Sequence, residues 1–386
     1  MMQILLFAFL VLLAFFLGVY VLYFAYVQNG AKKPWRLKID KAFQPEISIL
    51  IPVHNEEGVI WSKLENVSKV SYPKEKIEVV IADDASEDNT IKIVKRFMKE
   101  NPQLKIKVVS QRLHLGKAAA LNKAMASCTH PIIILSDADT YWPNDILKNA
   151  LPYLADPQIG AITGRGINKN VHESWVTRGE ETYLNFMHLL RFGESKIFST
   201  VKFEGGFCAF KKEAFEKFDC ESGSDDSGTA LEVVQNGYRA ILVPEAVFYT
   251  EFPARLIDKL KVKARRANQW ISLRVKILQL MLKGQLRIPK KLAVPEILLF
   301  LVNPIVFICL AVGTILIISF NPFSLFSLIA LLTITGSALL TRRFFFEAIL
   351  DNLVLFYALI AFIFGKRYVA WGKTGFNLES RKLSNS

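Results

Sequence analysis

Asp137 and Asp139 stand one residue apart, directly after the apolar run from Ile132 to Leu135. Two carboxylates so spaced at the end of a buried strand can face one divalent cation. Hard oxygen ligands suit Mg2+ or Mn2+, ions that also bind substrate phosphates. Acid recurs at two similar places. Pro52-Val-His-Asn-Glu56-Glu57 follows the run from Ile47 to Ile51, and Asp83-Asp84 follows the run from Ile77 to Ala82. One Asp in a surface loop is usually a solvated turn residue. Acid at three strand ends points instead to a reaction in which a metal bridges a diphosphate and neutralises its charge as it leaves. Gly116-Lys117-Ala-Ala-Ala-Leu-Asn122 adds a cation at a helix start, where backbone approach and the helix N-terminus favour an anion.

The elements that position these groups alternate. Ile47 to Pro52, Ile77 to Ala82, Ile106 to Val109 and Ile132 to Leu135 read as short strands. Ile60 to Val70, Ile91 to Lys99 and Gly116 to Ala126 read as helices between them, the second preceded by capping residues in Ser86 to Thr90. Such alternation predicts an α/β fold, a mostly parallel sheet with helices on both faces. Ligands of these sheets bind outside the carboxyl ends of the strands, which is where the acids fall.

The chain of 386 residues is 52% hydrophobic yet carries a formal net charge of +13. Apolar and basic together imply membrane contact before nucleic acid, and position decides between them. Ile4 to Val27 is uncharged and long enough to cross a hydrocarbon core of about 30 Å. Tyr20, Tyr23 and Tyr26 sit near its end like an aromatic belt, and Lys32, Lys33, Arg36 and Lys38 follow. The positive-inside rule then places the following region in the cytoplasm. Ile297 to Phe320, Phe323 to Leu340 and Phe344 to Phe364 are further candidate spans, the last interrupted by Glu347 and Asp351. From Arg255 to Lys291, Lys and Arg interleave with Leu, Ile and Val, a pattern of basic amphipathic helices lying on an anionic membrane surface. In that arrangement Leu273, Ile277, Leu278 and Met281 face lipid, and Lys263, Arg274 and Lys283 face headgroups. The division expected is an anchor over 1–30, a catalytic domain over 45–250, interface helices over 251–292, two or three spans over 293–366 and a basic tail over 367–386. The four cysteines show no metal-type spacing and read as buried or free thiols.

From Ile47 to Trp270 these residues resemble the family 2 inverting glycosyltransferases. The resemblance rests on Pro-x-x-Asn-Glu at Pro52 to Glu56, Asp83-Asp84, the Gly116 motif, Asp137-Ala-Asp139 and Glu204-Gly-Gly206 before Phe210. It continues through Ser224-Asp225-Asp226, Gly237-Tyr238 and Pro244-Glu-Ala246. By residue type alone Asp225-Asp226 is a solvated turn; its spacing to Gly237-Tyr238 carries the match. The membrane segments resemble the polysaccharide-synthase and ceramide-glucosyltransferase branch. The resemblance implies a GT-A fold and a nucleotide-sugar donor, with UDP the family's usual nucleotide. It implies that Pro52, Val53, Asn55, Glu56 and Asp83 meet the nucleoside, that Lys117 and Asp137 lie along the nucleotide, and that Asp139 holds the metal. Asp226 matches the family's general base, with Asp225 where Glu is commoner. The Gln-x-x-Arg-Trp motif stands altered as Arg266-Ala-Asn-Gln269-Trp270, so Arg266 or Arg265 would supply the cation for the diphosphate, Gln269 would take part in the same site, and Trp270 would line the acceptor side. His172 and Trp175 fall over the cleft.

The function expected is therefore metal-dependent, inverting sugar transfer to a lipid or lipid-linked acceptor at the cytoplasmic face of the cell membrane, without nucleic acid. A processive polysaccharide synthase, a polyprenyl-phosphate glycosyltransferase and a catalytically silent membrane scaffold are the alternatives.

Overall fold

The computed structural model describes residues 2–340 and 342–366. It opens with α1 (Met2–Ala31), a single uninterrupted helix. A parallel set follows: β1 (Ile47–Val53), β2 (Ile77–Asp83), β3 (Lys105–Ser110) and β4 (Ile132–Leu135), in the order β3-β2-β1-β4. β1, β2 and β4 are buried along their whole length. Strands covered on both faces need apolar residues at every position, which is why they read as continuous runs. Three helices connect them: α2 (Ile60–Ser68), α3 (Thr90–Glu100) and α4 (Lys117–Met125), within a residue or two of the predicted bounds.

The second half was not legible as elements. It comprises α5 (Ile146–Ala150), β5 (Ile159–Asn168), α6 (Trp175–Ile197), β6 (Cys208–Lys211), α7 (Asp225–Gln235) and β7 (Arg239–Thr250). β6 runs antiparallel to β4 and to β5, and β5 runs parallel to β7, completing a seven-stranded sheet in the order β3-β2-β1-β4-β6-β5-β7. Gly164 and Gly166 obscure β5 as a strand, yet the fold needs them. A Cβ on Gly164 would stand 2.3 Å from the Ala246 carbonyl oxygen, and one on Gly166 2.8 Å from Glu204 Oε2.

The C-terminal third holds α8 (Leu256–Leu282), α9 (Lys290–Ile297), α10 (Asn303–Phe320), α11 (Leu325–Leu340) and α12 (Arg342–Ile363). A π-helical turn, Leu298–Val302, joins α9 to α10. Among the described residues, three helical stretches are long and apolar enough to cross a membrane: Gln3–Ala31, Lys290–Phe320 and Phe344–Ile363. α11, at 16 residues, is shorter than such a span. The basic tail expected over 367–386 lies outside the described residues.

α8 corrects the expectation of a helix lying on lipid. Leu273 and Ile277 are buried in the core, and Leu278 and Met281 are packed against it. Lys263 and Arg274 do not reach for headgroups. Lys263 Nζ is 3.1 Å from Glu347 Oε2, 3.4 Å from Glu180 Oε2 and in contact with Asp351. Arg274 is 1% exposed and pairs with Glu296. Lys259, also buried, lies 2.6 Å from Glu347 and 3.7 Å from Glu180. The acids that interrupt the last apolar segment are thus the partners of Lys259 and Lys263. Of the residues assigned to headgroups, Lys283 alone is exposed. Trp175, expected over the cleft, packs edge-on to Phe346 of α12 at 5.3 Å.

Candidate active site

The strand ends meet on one edge of the sheet. Val53 is the register partner of Asp83, the Asp84 amide donates to the Val53 carbonyl at 2.9 Å, and the Ser136 amide donates to the Leu50 carbonyl at 3.0 Å. β1 ends in Pro52 and Val53, and the loop after it is stitched to the loop after β2. Asn55 takes a positive φ of 55°, its amide donates to Ser86 Oγ at 2.9 Å, and its Oδ1 accepts from the Glu87 amide at 2.7 Å. The Glu56 amide donates to Thr90 Oγ1 at 2.6 Å, and Asp83 Oδ1 accepts from the Ser86 amide at 3.0 Å. These residues were expected at the nucleoside, and the structure places them together as one rigid rim.

Asp84 does different work from Asp83. Its Oδ1 accepts from the Leu115 amide and from Gln111 Nε2, its Oδ2 accepts from the Gly116 amide, and His114 Nδ1 lies 2.9 Å from Oδ2. Gly116 holds φ at 97°, a conformation that favours glycine. One buried carboxylate therefore ties the whole 111–116 loop, and the loop aims the first residue of α4. That residue is Lys117. The His114 ring also stacks on His54 with centroids 4.0 Å apart, a pairing that neither residue's type or spacing announced.

Lys117 is the hinge of the charge distribution. Its Nζ lies 2.8 Å from Asp137 Oδ1 and 3.0 Å from Asp225 Oδ2, joining the end of β4 to the start of α7. Burial alone would raise the Asp137 carboxyl and lower the Lys117 ammonium. Their pairing outweighs it, so Asp137 is held below the ordinary carboxylate range and Lys117 is pushed up. Asp226 goes the other way. Burial and then the Asp225 charge push it up to about 6, against the opposing pull of Lys117. Its Oδ1 accepts from Ser224 Oγ at 2.8 Å and from the Ser227 amide at 2.6 Å, which leaves Oδ2 as the position for a further proton.

Gly205 lets this site close. The Asp137 amide donates to the Gly205 carbonyl at 2.9 Å, and a Cβ at Gly205 would fall 2.7 Å from Asp137 Oδ2. Asp139 is exposed on the same turn. Beneath it lies Lys63, fully buried, whose Nζ donates to Ser136 Oγ at 2.5 Å and to the Thr140 carbonyl at 2.8 Å. Burial pushes this lysine down to about 7, with Asp137 and Asp139 opposing the shift. Sequence reading missed Lys63, although a signal existed: it occupies the apolar stripe Ile60, Lys63, Leu64, Val67 of α2.

α8 closes the other wall. Gln269 Nε2 donates to the Gly223 carbonyl at 2.5 Å, bracing the loop that precedes Asp225. Of the two arginines considered for the cation, Arg265 is the one set among the carboxylates. Burial and the neighbouring Arg266 lower it, and Asp137, Asp139 and Asp225 oppose that. Arg266 lies 3.9 Å from Glu180 and over the Phe252 ring. Trp270 packs against Phe300, with the Arg274 guanidinium 5.0 Å from its ring, so it lies against the apolar stretch Lys290–Phe320.

Two carboxylates on one turn make an incomplete metal shell, and no group of three or more metal-ligating side chains occurs among the described residues. That fits Mg2+ or Mn2+, which take one or two carboxylates and fill the rest of the shell with water and substrate phosphate.

The model of one family, glycosyl transferase family 2, matches residues 48–219. Residues 48–219 belong to that family. The match spans β1 to β6 and both Asp137 and Asp139. Over 95% of this chain and 100% of the other, the structure is similar to that of the mannosyltransferase PcManGT from Pyrobaculum calidifontis in complex with GDP-Man and Mn2+, with 29% identity and a TM-score of 0.81. The fold is accordingly GT-A. Among curated proteins, the chain is 28% identical over 265 residues to the probable glycosyltransferase YdaM of Bacillus subtilis (65% of this chain, 61% of that one). It is 33% identical over 136 residues to the beta-monoglucosyldiacylglycerol synthase of Synechocystis (35% and 28%). The chain thus spans 61% of the first relative's length and 28% of the second's.

Proposed function

We propose that this glycosyltransferase moves one sugar, with inversion, from a nucleoside-diphosphate sugar to a hydroxyl of a lipid or lipid-linked acceptor at the cytoplasmic side of a membrane. The observation that carries the reading is Lys117 held between Asp137 and Asp225, with Asp226 beside them at about 6. A cation at the diphosphate end and a proton acceptor one residue from its partner are the two things a single displacement needs. The acceptor oxygen attacks the anomeric carbon, the bond from that carbon to the diphosphate oxygen breaks, and the acceptor's proton passes to Asp226 Oδ2. Asp139, with Asp137, would hold Mg2+ or Mn2+, which would neutralise charge on the departing diphosphate. Lys117 and Arg265 supply positive charge on the same side. Lys63 fixes the turn that carries both aspartates.

UDP is the expectation from the family motifs. The GDP-Man bound to the whole-length neighbour supports a guanosine donor, and both belong in the test. The three apolar helical stretches and the flanking Lys32, Lys33, Arg36 and Lys38 support the membrane setting. The full chain in lipid nanodiscs, given Mn2+ and a panel of GDP-mannose, UDP-glucose and UDP-N-acetylglucosamine, releases nucleotide from one of them. Asp139→Ala removes several kcal/mol of charge stabilisation and lowers that release on the order of 100-fold or more. Failure of wild type to bind any of the three donors, with or without metal, sinks the reading.

A further inference from the structure

Around Glu204 lies a second set of polar groups that the reaction above does not use. α6 and β5 supply it. Arg191 Nη2 is 2.8 Å from Glu204 Oε1 and its Nη1 donates to the Lys202 carbonyl at 3.3 Å, while the Gly166 amide donates to Glu204 Oε2 at 3.3 Å. Arg165 Nη2 donates to Asn185 Oδ1 at 3.3 Å. Among the described residues, several buried atoms here have no hydrogen-bond partner: Arg165 Nε, Arg191 Nε and both ring nitrogens of His188. His188 is only 7% exposed. A buried imidazole with neither nitrogen satisfied costs free energy, which a ligand that bonds to it would recover.

We propose that Arg165, His188, Arg191 and Glu204 form the site that receives the acceptor's headgroup, and that this headgroup is neutral and bears hydroxyls. The assignment rests on the transferase reading and adds the acceptor class to it. Three features support the neutral class. Arg191 already has a carboxylate partner in Glu204. Burial and the Arg191 charge push His188 down to about 3, so its ring stays neutral and offers one donor and one acceptor, as a hydroxyl does. Glu204, held below the ordinary carboxylate range because the Arg191 charge outweighs its burial, accepts from hydroxyls and repels phosphate. Location supports an acceptor. Glu204 adjoins Gly205, which touches Asp137, so the set borders the donor site. The other side of α6 meets the membrane helices: Phe186 stacks on Phe24 of α1 at 5.5 Å, and a Cβ at Gly179 would meet Glu347 of α12. A headgroup tethered to lipid would reach these residues on its way to Asp226.

The test uses the full chain in nanodiscs with Mn2+, whichever donor it hydrolyses, and three acceptors: dioleoylglycerol, dodecyl β-D-glucoside and undecaprenyl phosphate. Wild type glycosylates at least one of the first two. His188→Leu raises the KM for that acceptor about tenfold or more, as expected for a lost buried hydrogen bond, while the donor KM stays within about twofold. His188→Asn, which keeps a donor and an acceptor, recovers most of the loss. The proposal is overturned by an unchanged acceptor KM in His188→Leu, or by a donor KM that rises in step. It is equally overturned if wild type hydrolyses donor but glycosylates only undecaprenyl phosphate, or none of the three. Absence of donor hydrolysis in wild type defeats the transferase reading itself, and this assignment with it.

Discussion

Asp226→Asn lowers the transfer rate by about 10²- to 10⁴-fold, the usual contribution of a positioned general base, while both substrate KM values stay close to wild type. The amide keeps the shape of the carboxyl and can still accept from Ser224 Oγ and the Ser227 amide, so α7 keeps its start. What it loses is the capacity to take a proton at neutral pH. The same residue sets the acid limb of the rate profile. Its carboxyl is raised to about 6 by burial and by Asp225. The active form is the deprotonated one, so the rate falls as pH drops through about 6 and is level above it. Removing the like charge with Asp225→Asn favours the ionised form of Asp226 and moves that limb to lower pH. Rate profiles of the three proteins check this directly. A limb that persists unchanged in Asp225→Asn would assign the titration to another group.

The second large effect is on stability. Lys263→Met destabilises the assembly of α6, α8 and α12 by about 3–5 kcal/mol, the cost of leaving buried charge without its partner. Burial alone would lower the Lys263 ammonium; Glu180, Asp351 and Glu347 outweigh that and raise it. The residue is 7% exposed, so water cannot replace it as their partner. Removing the charge from both sides is milder than removing it from one. Lys263→Met combined with Asp351→Leu therefore melts above Lys263→Met alone. Melting temperature in detergent, read as a double-mutant cycle, measures the coupling. Simple additivity would mean that the two side chains do not interact.

Strands β1, β2 and β4 were legible because a strand buried on both faces leaves no choice of residue, and the acids at their ends were legible because they interrupt that pattern. β5 was not, because its glycines answer to Phe248, Ala246 and Glu204, which lie far along the chain. α8 shows a deeper limit. Cations alternating with leucine and isoleucine describe an amphipathic helix but not what lies opposite each face. Here the apolar side meets the core, and the cations meet acids such as Glu347, which follows Lys259 by 88 positions. The altered Arg266-Ala-Asn-Gln269-Trp270 stretch divides for the same reason: Gln269 braces the loop before Asp225, Arg265 lies within reach of the carboxylates' charge, and Trp270 packs against Phe300. Lys63 was hidden because a lysine within a helix reads by default as solvated.

The first helix has a consequence for how acceptors are found. At 30 residues it is about 45 Å long, well beyond the roughly 30 Å of a hydrocarbon core. Its last third is clamped to α6: Tyr23 Oη donates to Glu194 at 2.6 Å, and the glycines Gly193 and Gly30 sit where side chains would strike Val27 and Ile197. In a bilayer the catalytic domain then rides on a rigid strut instead of a flexible tether. A tether would let the cleft sample many heights above the surface. A strut would hold it at one, and the search for the lipid acceptor proposed above would become two-dimensional, run by lateral diffusion within the leaflet.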